Sequence, residues 1–145
     1  MMRIAIASDH AGFQLKEALR ERLSSAGHDV ADFGTYSEER CDYPDNAKPA
    51  ASAVNEGEAS VGLLVCGSGI GMCIAANRFP NVRAAVLQNE YDAEMSRRHN
   101  DANVACLGAR TMDADRAQKL LEIFLNTPFE GGRHEARVKK LAGLP

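Results

Sequence analysis

Apolar and polar residues alternate along the chain in two kinds of stretch: short β-branched runs, and longer segments with near-helical spacing. Arg3 to Ala7 is a β-branched and alanine run, punctuated by Ser8-Asp9-His10-Ala11-Gly12, which reads as a strand ending in polar groups. In Phe13 to Ala26 the apolar residues Phe13, Leu15, Ala18, Leu19 and Leu23 keep near-helical spacing, and Gly27 supplies the stop. Asp29 to Phe33 reads as a second strand, ended by Gly34-Thr35-Tyr36. Ser37 to Asp45 is polar, carries Pro44 and reads as a loop. The helix it starts runs to about Glu56, with Pro49 in the first turn, where a missing N–H costs little. Ser60 to Val65 follows as a third strand, apolar enough to be central.

Leu63-Leu64-Val65-Cys66 then breaks into the alternating glycines of Gly67-Ser68-Gly69-Ile70-Gly71. Met72 to Arg78 has few breakers, so the turn opens a helix that ends near Phe79-Pro80. Val82 to Leu87 is a fourth strand, and Glu90 to His99 a polar helix with Tyr91 and Met95 four apart. Asn103 to Leu107 is a fifth strand, closed by Gly108-Ala109-Arg110. Asp113 to Leu125 is a periodic helix, Thr127 to Gly132 breaks the chain, and Arg133 to Leu141 reads as a short basic helix before Gly143-Leu144-Pro145. Strand and helix alternate five times, which implies an α/β fold with a parallel sheet and helices on both faces. In such folds ligands bind beyond the carboxyl ends of the strands. Asp9 and His10, Cys66 to Gly71, and Arg110 all fall on that rim.

Bulk properties narrow the ligand. The 145 residues fit one domain spanning 1–145, with 129–145 as a C-terminal tail. A hydrophobic fraction of 45% with 26% charged residues is ordinary for a globular protein, and the net charge of −3 argues against nucleic acid or an anionic membrane as the main partner. A small-molecule ligand is the expectation. The opening Met1 to Asp9 is too short and too soon charged for a signal peptide, and no run approaches a membrane span, so a cytoplasmic location is expected. There Cys41, Cys66, Cys73 and Cys106 are free thiols. No Cys-x-x-Cys pair or zinc spacing occurs among them, and all but Cys66 read as small apolar residues.

Cys66 is the candidate with chemistry. A thiol at a helix N-terminus sits among unpaired backbone N–H groups and the positive end of the helix dipole, both of which favour its anion. The competing reading is a buried inert thiol. The glycine turn itself most often cradles phosphate. Yet no Gly-Lys-Ser/Thr follows, a dinucleotide fingerprint belongs after the first strand, and a thiol phosphatase loop needs arginine where Met72 stands. Asp9-His10 suits a helix cap, or a pair that orients a sugar hydroxyl and binds an anion. His99 suits a dipole partner at a helix end, or a general acid. Arg133 and Arg137, four apart, share a helical face, either solvated or converging on one phosphate. His28 and His134 read as surface residues. No metal ligand set is visible.

Together these segments resemble the ribose-5-phosphate isomerase B family, which includes galactose-6-phosphate isomerase subunits. The resemblance runs through Ser8-Asp9-His10-Ala11-Gly12, Asp42-Tyr43-Pro44-Asp45, Cys66-Gly67-Ser68-Gly69-Ile70-Gly71, Ala75-Ala76-Asn77, Arg98-His99-Asn100, Leu107-Gly108-Ala109-Arg110 and Arg133-His134-Glu135-Ala136-Arg137. It implies a Rossmann-like three-layer sandwich with a five-stranded parallel sheet of order 2-1-3-5-4. It also implies a homodimer or homotetramer with shared active sites, and ribose 5-phosphate–ribulose 5-phosphate isomerisation in the non-oxidative pentose phosphate pathway. By resemblance Cys66 is the base that moves the proton between C1 and C2, and the Gly67, Ser68, Gly69, Ile70 and Gly71 turn holds the enediolate oxygens. His99 opens the sugar ring with help from Asp9, and Asn100 binds substrate. His10, Arg133 and Arg137 hold the phosphate with Arg110 contributing, while His99, Asn100 and Arg110 reach across from a partner subunit. No metal or other cofactor is implied. Ser68 stands where many relatives have threonine, and Ile70 where others place a glutamate base, so the chain is of the cysteine type. A six-carbon aldose 6-phosphate substrate, a non-catalytic phosphosugar or nucleotide sensor, and a thiol redox protein pairing Cys66 with Cys73 are the alternatives.

Overall fold

A computed structural model describes residues 1–145. The chain forms β1 (Arg3–Ser8), α1 (Phe13–Ser25), β2 (Asp29–Asp32), α2 (Tyr43–Asn55), β3 (Val61–Cys66), α3 (Ile70–Ala76), β4 (Ala84–Val86), α4 (Glu90–Arg98), β5 (Val104–Gly108), α5 (Ala114–Asn126) and α6 (Arg133–Ala142). The five strands make one parallel sheet in the order β2-β1-β3-β5-β4. This is the three-layer α/β arrangement expected from the alternation of strand and helix.

Strand side chains point alternately to the two faces, and the two faces differ in size. Ile4 and Ile6 of β1, Leu63 and Val65 of β3, and Ala105 and Leu107 of β5 pack with Leu15, Leu19, Ala93, Leu120 and Phe124 under α1, α4 and α5. Ala5, Ala7, Leu64, Cys66 and Cys106 face the other way, against Ala47, Ala50, Ala51, Ala53 and Val54 of α2 and Met72 and Ala76 of α3. That second layer is built largely of methyl groups, so α2 lies close on β1 and β3. Central strands apolar on both faces are the reason a parallel sheet forms here.

Two boundaries differ from the sequence reading. The helix assigned to begin around Pro49 begins at Tyr43, with Pro44 in its opening turn and Pro49 inside it. Pro44 fills the position where a missing N–H is free. Pro49 leaves without a helical partner the carbonyl of Asp45, an exposed residue that solvent reaches. The fourth strand is only Ala84–Val86 rather than Val82 to Leu87, an edge strand paired on one side with β5, and Val82 instead closes a turn onto Phe79. No helix is long and apolar enough to cross a membrane.

Lys16 of α1 is fully buried, yet it donates to both carboxylate oxygens of Asp32 at 2.9 Å and to the Thr35 carbonyl at 2.6 Å. It ties the segment after β2 to the start of α1, beside the carboxyl end of β1. Breaking one member of such a buried pair strands the other charge, which is why a lysine is tolerated there only with full pairing.

Candidate active site

Three strands end together at one rim. β1 delivers Asp9 and His10, β3 delivers Cys66, and β5 delivers Gly108 and then Arg110, in the register Ser8 beside Val65 and Cys66 beside Gly108. The Cys66 side chain is buried, and its Sγ accepts the Gly69 N–H at 3.1 Å. Gly69 holds φ of +79° as the N-cap of α3, and a Cβ there would lie 3.0 Å from the Leu107 backbone, so position and conformation both require glycine. The turn is drawn onto β5 by Ala109 N–H to Cys66 O at 2.9 Å and Arg110 N–H to Gly67 O at 3.1 Å. Ser68 Oγ accepts the Ile70 N–H at 3.2 Å.

The Arg110 guanidinium lies over this turn, 3.0 Å from where a Gly67 Cβ would be. Arg110 therefore serves the rim of its own chain, and the expectation that it reaches in from a partner is corrected. Tyr43, the first residue of α2, covers the far side: a Cβ on Gly71 would meet its ring at 2.7 Å. Tyr43 belongs to the Asp42-Tyr43-Pro44-Asp45 segment, and its approach to Gly71 depends on where α2 begins.

Asp9 is buried, its N–H donating to Val65 O at 3.2 Å and its Oδ1 accepting the Gly12 N–H at 3.0 Å. The N-cap of α1 is Gly12 and takes no side-chain capping bond, so Asp9 instead fixes the turn that leads into the helix, and its Oδ2 makes no hydrogen bond within the chain. Neighbouring Ser8 Oγ is buried without a partner. His10 Nδ1 sits 3.2 Å from the Cys41 N–H and 3.1 Å from the Cys41 carbonyl, so the ring is held in place in either protonation state. This leaves Nε2 without a hydrogen-bond partner in the chain. A cleft of about 530 Å³ beside it is lined by His10, Gln14, Glu38, Ala109 and Asp113 among others.

The remaining candidates gather elsewhere. His99 ends α4, and the segment after it leads to Asn103, whose carbonyl accepts the Gly62 N–H at 2.9 Å near the start of β3. Gly62 and Cys66 are separated along β3 by ~13 Å at ~3.3 Å per residue. His99 and Asn100 thus lie toward the amino ends of the strands, away from Cys66 of the same chain at the carboxyl end of β3. There α6 adds Arg137, and a cleft of about 300 Å³ is lined by His99, Asn100, His134, Arg137, Val138 and Leu141. Arg133 opens the same helix, exposed. The largest cleft, about 590 Å³, lies beside it between α6 and Asn77 to Ala85, away from the Cys66 rim.

His134 is not the surface residue expected. It is 4% exposed, and its ring stacks on His99 with centroids 4.2 Å apart and planes at 13°. Its Nε2 faces Glu130 Oε1 at 3.8 Å while His99 Nε2 faces Glu130 Oε2 at 4.0 Å. Burial pushes the His134 imidazole below the usual range, with His99 and Arg133 adding to it and Glu130 opposing. Nor is His28 free on the surface, because its Nδ1 accepts the Met2 N–H at 3.1 Å. Nothing in sequence spacing marked His99, Glu130 and His134 as a group; the tail fold assembles them. Cys73, read as a small apolar residue, is half-buried, and a hydrogen bond from Cys106 holds its thiol at about 7, while burial pushes Cys106 up.

The fold and the rim define a doubly wound α/β protein that presents a strand-end thiol, backbone N–H donors, a carboxylate, a histidine and an arginine to a small polar ligand. A family model described as Ribose/Galactose Isomerase matches residues 4–141. Ribose-5-phosphate isomerase B of Escherichia coli is 42% identical over 144 residues, covering 99% of this chain and 97% of that protein. Among solved structures, Clostridium thermocellum ribose-5-phosphate isomerase B superposes with a TM-score of 0.96 at 46% identity, covering 98% of this chain and 96% of that one. The Mycoplasma genitalium ribose-5-phosphate isomerase B with bound ribulose-5-phosphate gives 0.93 at 39% identity, covering 97% and 94%. The chain belongs to the ribose/galactose isomerase family, and its sheet order is the one that membership implied.

Proposed function

We propose that the chain is an aldose–ketose isomerase that interconverts D-ribose 5-phosphate and D-ribulose 5-phosphate through a cis-enediolate, in a site shared between two copies. The observation that carries the reading is Cys66 Sγ at 3.1 Å from the Gly69 N–H on the glycine turn, in a chain 42% identical to an isomerase of this kind.

The cyclic sugar must open first. His99 gives a proton to the ring oxygen as Asp9 takes the C1 hydroxyl proton, freeing the C1 aldehyde. The Cys66 thiolate then removes the C2 proton, and the electron pair moves through C1 onto the carbonyl oxygen. A C–H beside a carbonyl is too weakly acidic unless that oxyanion is stabilised. The N–H groups of the Gly67 to Gly71 turn other than those of Gly69 and Ile70, which already donate to Cys66 Sγ and Ser68 Oγ, are open to this task, and one such donor is worth ~10²–10³ in rate. The Cys66 thiol returns its proton to C1, and the O2 hydroxyl proton passes to O1, giving the ketose. His10 and Arg110 hold the phosphate from the rim, and Arg133 and Arg137 hold it from a partner, which also supplies His99 and Asn100.

The split of these residues between opposite ends of the strands supports a homodimer at least, because His99 lies away from the Cys66 of its own chain. Exposed Ile70 and Ile74 on α3 give that rim an apolar face suited to a second copy. The domain reading of 1–145 with a phosphate-binding tail from 129 follows from the same division. Cys66→Ala tests the chemistry: exchange of the C2 proton with deuterated solvent stops, while calorimetry still shows binding of ribose 5-phosphate. Retained isomerisation in that variant refutes the mechanism.

A further inference from the structure

We propose that His134 and Glu130 are positioning residues for His99: the buried imidazole fixes the plane of the His99 ring, and the carboxylate fixes which edge of that ring turns inward and balances its charge. The inference rests on the ring-opening role given to His99 above and adds the two side chains that hold the acid in place for it.

His99 caps the C-terminal end of α4, and its side chain is partly exposed. It makes no side-chain hydrogen bond within the chain, so other contacts set the direction of its ring. His134 is 4% exposed and stacks on that ring with centroids 4.2 Å apart and planes at 13°. A stack fixes the plane of a ring and leaves its half-turn free. Glu130 selects one of the two orientations, with Oε2 lying 4.0 Å from His99 Nε2 and Oε1 lying 3.8 Å from His134 Nε2. The near-parallel rings therefore turn the same edge toward one carboxylate, each beside its own oxygen.

The backbone keeps this support rigid. Arg97 Nε donates to the Thr127 carbonyl at 3.1 Å, and the Glu130 N–H donates to the Arg98 carbonyl at 3.0 Å. The tail is thus pinned to α4 at both residues that precede His99. Next, the His134 N–H donates to the Gly131 carbonyl at 3.1 Å, which sets the second ring one short turn beyond the carboxylate. Burying His134 with Nε2 unpartnered costs stability that an apolar side chain there would not, so the flat polar ring is kept for something other than packing. Burial, His99, Arg133 and Arg137 all work against a proton on His134, with Glu130 opposing them. His134 stays neutral beside a protonated His99, and the pair sets one positive charge against one carboxylate.

The substrates supply a selective test. Ribose 5-phosphate closes to a furanose, whereas ribulose 5-phosphate stays open, because a 2-ketose would close through the C5 oxygen that carries its phosphate. Exchange of a C1 proton of ribulose 5-phosphate with deuterated water therefore needs Cys66 and the glycine turn and no ring opening. In the full-length protein, His134→Ala and Glu130→Gln lower kcat for ribose 5-phosphate isomerisation by about tenfold to a hundredfold, while C1 exchange changes by less than about threefold. His134→Phe restores a flat ring and recovers most of what His134→Ala loses. Glu130 is half-exposed, so its variant keeps the test open if loss of the buried His134 ring impairs folding, which circular dichroism reports. Equal losses in the two assays, unchanged isomerisation in either folded variant, or no recovery in folded His134→Phe overturns the proposal. Wild-type protein that catalyses neither reaction refutes the isomerase reading, and the roles given to His134 and Glu130 fall with it.

Discussion

If the active site is completed by a second copy, two defective chains repair one another. One tagged chain carries Cys66→Ala and a second, with a different tag, carries His99→Asn; they are expressed together and the mixed dimer is purified through both tags. The structure sets the expectation. Cys66 and His99 of one chain lie toward opposite ends of the strands, offset by ~13 Å along β3, and a general acid acts only at hydrogen-bond range, about 2.6–3.2 Å. Each composite site therefore draws Cys66 from one chain and His99 from the other. In the mixed dimer one site holds both substitutions and the other holds neither. With two-fold symmetry the purified mixed dimer keeps about half the wild-type activity per dimer. The parents are far lower: the Cys66→Ala dimer has no base, and the His99→Asn dimer loses roughly 10²–10⁴ in ring opening. The assay is coupled conversion of cyclic ribose 5-phosphate, so that ring opening is included. Activity of the mixed dimer at the level of the parents refutes the shared site. A monomer by sedimentation that is nonetheless active refutes it as well.

Further expectations concern the turn and the surface. Gly69→Ala forces a left-handed conformation on a residue with a Cβ and pushes it to 3.0 Å from the Leu107 backbone. It lowers stability by about 2 kcal/mol in urea unfolding and reduces kcat as the N–H donors shift; an unchanged midpoint and kcat contradict the packing described for the turn. Glu90 of α4 is held at about 2 by hydrogen bonding to Arg116. A carboxylate depressed on folding contributes stability above its unfolded range, and that contribution is lost as pH falls toward its folded value. Glu90→Gln is therefore less stable than wild type at pH 7, with the gap closing between about pH 5 and pH 2 in thermal melts. A gap independent of pH counts against the ion pair.

Much of the fold was legible because strands and helices leave different periodicities, and Ile4, Leu63 and Leu107 sit in strands apolar enough to require cover on both faces. The convergence of Asp9, His10, Cys66 and Arg110 followed from the same logic, since parallel strands place all their ends on one rim. What local pattern could not show was contact between distant segments. His134 reads as a polar residue in a basic helix, and only the docking of α6 against the end of α4 buries it on His99. Tyr43 covers Gly71 because α2 begins earlier than Pro49 suggested, which in turn reflects which of two prolines occupies the opening turn. Lys16 would be placed in solvent by composition alone, yet Asp32 and the Thr35 carbonyl pair it completely. The division of the remaining residues between two protomers entered through family resemblance, because periodicity assigns a residue to an element and not to a protomer.

The methyl-lined layer under α2 has a mechanical meaning. Alanine has no rotamers, so Ala5, Ala7, Ala47, Ala50 and Ala51 lose no side-chain entropy on folding and have no alternative packing to adopt. A layer of leucines can absorb a displacement by changing χ angles, whereas a layer of methyl groups transmits it. The distance between α2 and the sheet is thereby calibrated by the backbones themselves, and with it the height of Tyr43 above Gly71. The layer works as a gauge block: it stores no adjustment, so the gap over the glycine turn is the same in every molecule.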